Sequence, residues 1–217
     1  MANVGYEISE WFLEFRKISN SFPVMRVIKS KFEDGDWVCD ENGIRREDKK
    51  YFEISFYKVT DATRQVNRWK QPLQKEVGVG VVYLVVDKKM RILAQVLQEP
   101  GNNPEENYCS FASTIQASWD NAKGAHGGNL PPSLEALCKR ADVKPEDVVR
   151  AKVRKGGGRF KDSVIELGIV RVENIEDMQL EDREVVLSQQ DVKEAFLAGF
   201  LNAELREALG LCAVFYK

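Results

Sequence analysis

The chain has 217 residues, 43% of them hydrophobic and 30% charged, which is long and apolar enough for a substantial buried core. Its 32 basic and 34 acidic residues leave a formal net charge of -2, which excludes an overall electrostatic draw toward nucleic acid or an anionic membrane, so any anion site must be local. No stretch approaches the ~20 apolar residues that cross a bilayer, and the N-terminus lacks the basic, apolar, small-residue order of a signal peptide, so a cytoplasmic protein is expected.

Trp11, Phe12 and Phe15 recur at helical spacing and predict an N-terminal helix over about residues 6–18. Turns at Asp34-Gly35 and Glu41-Asn42-Gly43 separate candidate strands at 27–32, 37–39 and 52–59, the last with Phe52, Ile54 and Phe56 alternating onto one face. Gly78-Val79-Gly80 leads into the apolar run 81–86, and after the turn Asp87-Lys88-Lys89 a second run over 91–97 completes a hairpin at the heart of the sheet. Glu99 follows, where Pro100 stops the ladder and Gly101 lets the backbone turn. Ser133 to Cys138 is a short helix candidate, Pro145 opens another turn, and Gly156-Gly157-Gly158-Arg159-Phe160 interrupts the chain before a strand over 163–172. Ser188 stands as N-cap with Asp191 three residues on, opening a C-terminal helix over about residues 189–209 that turns Phe196, Phe200, Leu201 and Leu205 inward. The strongest strands sit in hairpins rather than βαβ units, so the pattern predicts a single α+β domain over residues 1–217 with a mixed or antiparallel sheet. Cys39, Cys109, Cys138 and Cys212 are scattered, with no CxxC pair or nearby histidine, and read as free thiols rather than as a zinc or disulfide framework.

Polar islands punctuated by Gly or Pro crowd the stretch from Trp69 to Gly128, the composition of a small-ligand site rather than a core. Glu99, beside a Pro-Gly turn at the mouth of a buried strand, is placed for general acid or base work, though a solvated loop carboxylate has the same signature. His126, the sole histidine, is presented by Gly127 and Gly128 on a permissive backbone. Gln116, Ser118 and Asn121 offer hydrogen bonds to hydroxyls or, equally, cap a turn. Trp69 and Trp119 are rings for a base or sugar to stack on, or core residues. Arg159, in the most basic local segment, with Lys152, Arg154, Lys155 and Lys161, offers a guanidinium to a diphosphate; the glycine run matches no Walker or dinucleotide pattern and reads equally as a flexible connection.

Taken together, Trp69-x-Gln71-Pro72, Glu99-Pro100-Gly101-Asn102, Thr114-Ile115-Gln116-Ala117, Asn121 and His126-Gly127-Gly128 resemble the NDP-hexose 2,3-dehydratase family in order and approximate spacing, and Tyr51-Phe52 and Gly157-Gly158-Arg159-Phe160 extend the likeness over most of the chain. The resemblance implies a Nudix-like mixed sheet with flanking helices. The acidic helix of the Nudix hydrolases is absent, which disfavours metal-dependent pyrophosphate cleavage. It also implies a nucleotide-sugar substrate, an NDP-4-keto-6-deoxyhexose that is dTDP-linked, no redox cofactor and no metal. Family enzymes carry two tandem copies of the unit and this chain carries one, so either two chains pair as a homodimer or the protein is a single-unit relative. Ser113 stands where many members have Pro, and Asp120 and Ala122 depart from the family pattern around Asn121.

The implied reaction is elimination next to a ketone: the C4 carbonyl acidifies the C3 proton and the enolate expels the C2 hydroxyl, which requires a base, an acid and donors for the enolate oxygen. Glu99 and His126 are the expected proton-transfer pair, in either order. Gln71, Asn102, Gln116, Ser118, Asn121, Gly127 and Gly128 are expected around the sugar, Trp69 or Trp119 at the base, and Arg159 at the diphosphate. The competing reading is a non-catalytic nucleotide-sugar-binding or assembly protein of the same fold.

Overall fold

The computed structural model describes residues 9–25, 35–60, 68–102, 108–125, 127, 130–156 and 158–215. The strand expected at 27–32 lies outside them. Helix α1 (Glu10–Ser21) buries Trp11, Phe15 and Ile18, the stripe that a period of 3.6 residues produces. Strands β1 (Trp37–Asp40), β2 (Gly43–Arg46), β3 (Phe52–Val59) and β4 (Trp69–Glu76) form an antiparallel four-stranded sheet in chain order. Alternation predicted β3 well as a strand but not its burial throughout: Phe52 and Ile54 are half-buried while Phe56 is 72% exposed.

The larger sheet contains β5 (Gly80–Asp87), β6 (Ile92–Gln98), β7 (Cys109–Ala112), β8 (Ile115–Ala117), β9 (Val149–Arg154), β10 (Val164–Val172) and β11 (Glu184–Leu187), in the order β11-β6-β5-β10-β9, with β7 paired to β6 and β8 to β5. β5 and β10 run parallel and the other pairs antiparallel, so the sheet is mixed and the fold is α+β. β5 is buried along nearly all its length, which is why its sequence is a continuous apolar run rather than an alternation. Its two sides serve two cores. Val82, Leu84 and Val86 pack with α1 and with the C-terminal helices α4 (Gln189–Leu197) and α5 (Ala203–Phe215), while Tyr83 and Val85 pack with Leu134, Leu137 and Cys138 of α3 (Leu134–Ala141). A short helix, α2 (Trp119–Ala122), follows β8. No described helix is long and apolar enough to cross a membrane.

Two departures from the sequence pattern shape the site. The first lies within the hairpin, where β5 and β6 pair only near their turn, at Val85↔Leu93 and Val86↔Ile92. Beyond that point they splay, and β7 and β8 fill the gap, each pairing with one of them. Thr114 stitches the vertex: its buried hydroxyl accepts from Val85 N at 2.9 Å and donates to Leu93 O at 2.5 Å, so neither backbone group is stranded. The second departure is that the chain forms two helices where one was expected over 189–209. Gly199 has φ +81°, and the linker after it pairs with β7, Phe111 N donating to Phe200 O at 2.7 Å and Asn202 N to Phe111 O at 3.0 Å. The capping box of Ser188 and Asp191 is present at the start of α4. Phe196, expected inward, is 54% exposed, whereas Phe200 on the linker packs on Phe15 with centroids 4.9 Å apart. Helical periodicity carried across the break misassigns the face of α4 that meets the core.

Candidate active site

The splayed strands and the linker between α4 and α5 converge on one buried amide. Asn202, 5% exposed, caps α5 by accepting from Leu205 N at 2.9 Å. Its Nδ2 donates to Glu99 Oε1 at 3.0 Å and to Gln116 Oε1 at 2.9 Å. Glu99 stands just past the end of β6, half-buried, and its second oxygen accepts from Ser110 Oγ of β7 at 3.4 Å. The expected Glu99 and Gln116 are thus tied together by a residue that helical patterning had hidden.

Two clefts flank this chain of hydrogen bonds. The smaller, about 570 Å³, is lined by Glu99, Tyr108, Ser110 and Asn202 and also by Arg159, Glu204 and Arg206. Two carboxylates, of Glu99 and Glu204, and two guanidinium groups therefore face one space. The larger, about 910 Å³, opens where β5 and β6 part and is lined by Gln95, Thr114, Gln116, Asn121, Gly124 and Leu130, with Glu181 to Glu184 on another wall. Gln116 has its oxygen turned toward Asn202, which orients its amide so that the N–H pair points the other way. Arg140 holds Glu181 at 2.9 Å and Glu184 at 2.6 Å, neutralising part of the acidic wall.

The remaining expected residues fall into three places. Trp69 and Gln71 sit on β4, where Trp69 Nε1 donates to Gln71 Oε1 at 2.8 Å and Gln71 Nε2 donates to Gly158 O at 2.5 Å. Gln74 N donates to Arg159 O at 2.8 Å and Lys161 N to Gln74 O at 2.8 Å, so β4 grips the glycine-rich segment on either side of Arg159. Arg159 itself is exposed, its guanidinium 5.5 Å from the Phe160 ring centroid. Trp69 and Gln71 are therefore joined to the small cleft through the backbone of that loop.

Ser118 is the N-cap of α2, accepting from Asn121 N at 3.2 Å. Trp119 opens onto a third cleft, about 400 Å³, where Trp37, Arg46, Phe52 and Glu76 of the small sheet, with Tyr51 just before β3, meet Gly80 of the large one and Ser118 at the start of α2. Lys123 Nζ lies 4.0 Å from the Trp119 ring centroid, and Gly78, at φ +71°, lies so close that a Cβ there would come within 2.3 Å of Trp119 Cγ. Trp119 is thus packed on Gly78 along one side while 41% of it stays exposed. Asp120, 8% exposed, ties the same helix to the small sheet by accepting from Tyr51 N at 2.7 Å. Gly127 is exposed with φ +66°, a backbone conformation that requires glycine's freedom. His126, Gly128 and the side chain of Asn102 lie outside the described residues, between or beside Gly124, Gly127 and Gly101.

Ser110, Asn202 and Arg206 are not singled out by the sequence pattern. Asn202 carries a signal, since an Asn three residues after a glycine and just before Ala-Glu-Leu is a helix-start pattern. Arg206 carries none, because an arginine in a helix is ordinarily a solvated one. All four cysteines are free, and burial pushes the thiols of Cys109, Cys138 and Cys212 up, away from the thiolate form.

The model of the NDP-hexose 2,3-dehydratase family matches residues 6–209. Over 125 residues the chain is 29% identical to the dTDP-4-dehydro-6-deoxy-alpha-D-glucopyranose 2,3-dehydratase of Saccharopolyspora spinosa, a match that spans 56% of this chain and 24% of that relative's length. Among solved structures, the C. elegans Ap4A hydrolase aligns with a TM-score of 0.38 and 13% identity, covering 65% of this chain and 99% of that one.

Proposed function

The chain belongs to the NDP-hexose 2,3-dehydratase family, and from that premise we propose that it eliminates water across C2–C3 of an NDP-4-keto-6-deoxyhexose, dTDP-linked, in deoxysugar biosynthesis. The observation that carries this reading is the Glu99 carboxylate, held by Asn202 and Ser110 in a cleft it shares with Arg159. Such a cleft suits a substrate with an acidic carbon at one end and a diphosphate at the other.

In this reading the sugar lies at the chain Glu99–Asn202–Gln116. Glu99 and His126 share the proton transfers. One takes the C3 proton, the electron pair moves into the C4 enolate, and the C2 hydroxyl leaves as water on receiving a proton from the other. The Gln116 amide N–H pair, with Asn121 on the same cleft wall, donates to the developing enolate oxygen. Arg159 and Arg206 take the diphosphate. The nucleobase lies toward Trp69, whose indole is linked through Gln71 to the Arg159 loop, rather than toward Trp119, which lines a separate cleft. Two chains pair as a homodimer in the cytoplasm.

Incubation with a dTDP-4-keto-6-deoxyhexose and mass spectrometry tests the reading. Loss of one water by the wild type, and a fall of about a hundredfold or more in that rate for Glu99→Gln, are expected. Binding without any mass change would instead favour a non-catalytic nucleotide-sugar-binding protein. Full turnover by both Glu99→Gln and His126→Ala would remove the assignment of the pair.

A further inference from the structure

We propose that Asn202 is a positioning residue for the elimination, one amide that sets both the orientation of the Glu99 carboxylate and the donor end of Gln116. The inference rests on the reading of Glu99 as a proton-transfer group, and it extends that reading to a residue 103 positions further along the chain. Asn202 has both ends of its amide engaged in a defined way: Oδ1 accepts from Leu205 N, and the two Nδ2 hydrogens serve Glu99 at 3.0 Å and Gln116 at 2.9 Å. The amide cannot rotate by half a turn without losing all three, because an oxygen would then face two oxygens and an N–H would face an N–H. The backbone of Asn202 is fixed as well, through Asn202 N to Phe111 O at 3.0 Å.

Two consequences follow for the chemistry. The oxygen of Glu99 that takes the Nδ2 hydrogen is held in place, which fixes the carboxylate that must reach the C3 proton. The oxygen of Gln116 is turned toward Asn202, so an amide that could otherwise point either end at a ligand is oriented with its N–H pair away from Asn202, the end that an enolate oxygen needs. A hydrogen-bond acceptor and a hydrogen-bond donor of the reaction are therefore poised by one side chain, itself anchored at the start of α5.

Asn202→Asp separates this role from mere support of the helix. Aspartate caps a helix about as well as asparagine, so the bond to Leu205 N survives and the fold is retained, the like charge beside Glu99 lowering the thermal midpoint by several degrees. What changes is the face toward Glu99 and Gln116, where a carboxylate oxygen replaces the N–H pair. Glu99 then meets a like charge, and Gln116 turns its N–H pair toward Asp and its oxygen toward the ligand. The expected result is a fall in kcat of about a hundredfold with KM changed less than about threefold. The limb of the pH–rate profile that belongs to Glu99 should move upward by about one pH unit. Arg159, Glu204, Arg206 and Tyr108 line the same cleft and are unchanged by the substitution, so they do not account for such a movement. Wild-type kcat and an unmoved profile in Asn202→Asp, beside a dead Glu99→Gln, would overturn the role of Asn202 and leave the reading of Glu99 standing. Full turnover by Glu99→Gln would overturn the reading itself. Binding without turnover by the wild type would overturn the elimination and this role of Asn202 with it.

Discussion

Thr114 shows how a single hydroxyl lets a sheet open. At the vertex where β5 and β6 part, the hydroxyl replaces the two backbone partners that the strands no longer give each other. Thr114→Val keeps the shape and removes both bonds, leaving a buried N–H and a buried C=O without partners. A loss of about 2 kcal/mol is expected, read as a lower denaturant midpoint at unchanged slope, and Thr114→Ser should recover most of it. A midpoint for Thr114→Val equal to the wild type would mean that another group satisfies the vertex. At this scale much is legible in the sequence. Glu99 stands out because a Pro-Gly turn marks the end of a strand, and Gln116 because it stands in a polar island. Asn202 does not, since it lies in an apolar pattern that continues with helical period through a break made by tertiary pairing with β7.

Strand β4 is the element that connects the tryptophan island to the basic one. Its grip on the glycine-rich segment, through Gln71 to Gly158 and Gln74 to Arg159 and Lys161, turns a run expected to be a flexible connection into a held loop. If the loop presents Arg159 to a diphosphate, Gln71→Ala and Arg159→Ala should each weaken dTDP binding by about tenfold, and the double variant should lose little more than either alone, as coupled groups do. Fully multiplied losses in calorimetric titrations would show that the two residues act separately. The glycines in the sequence point to a turn and miss this grip, because pairing between segments some eighty residues apart leaves no local signature. Similarly, the hairpin β5–β6 is legible as the centre of the sheet, while its splay is invisible: both strands are apolar beyond the vertex, and only their partners differ.

Across the whole molecule, α1 is fastened to α4 by one carboxylate. Glu194 Oε2 accepts from Ser9 Oγ at 2.7 Å and from Trp11 Nε1 at 2.9 Å. Those bonds, led by Trp11, hold its carboxyl down at about 2 against an ordinary 4.5. Because the folded state favours the charged form, the fastening contributes fully above about pH 4.5 and is lost as the pH falls toward 2. The near-ultraviolet circular dichroism of Trp11 should weaken over that window in the wild type. In Glu194→Gln that part of the acid response should be absent; an identical response in both would show that α1 is released by other carboxylates. The mixed architecture is legible from strand runs and turns, but the parallel pair β5–β10 is not, since four further strands as well as α3 lie on the chain between them and no simple strand-helix-strand unit marks the pair. That pair has a consequence in time. Residues 80–87 must await 165–172, and Glu99, Gln116, Asn121 and Arg159 all lie on the chain between them. At a synthesis rate of about 5–20 residues per second, β5 stands with one apolar edge open for roughly 4–16 s before its partner is made. Closing so long a loop is slow in any case, so the nascent chain passes through a stage in which the ligand-facing residues exist but have no finished sheet to sit on.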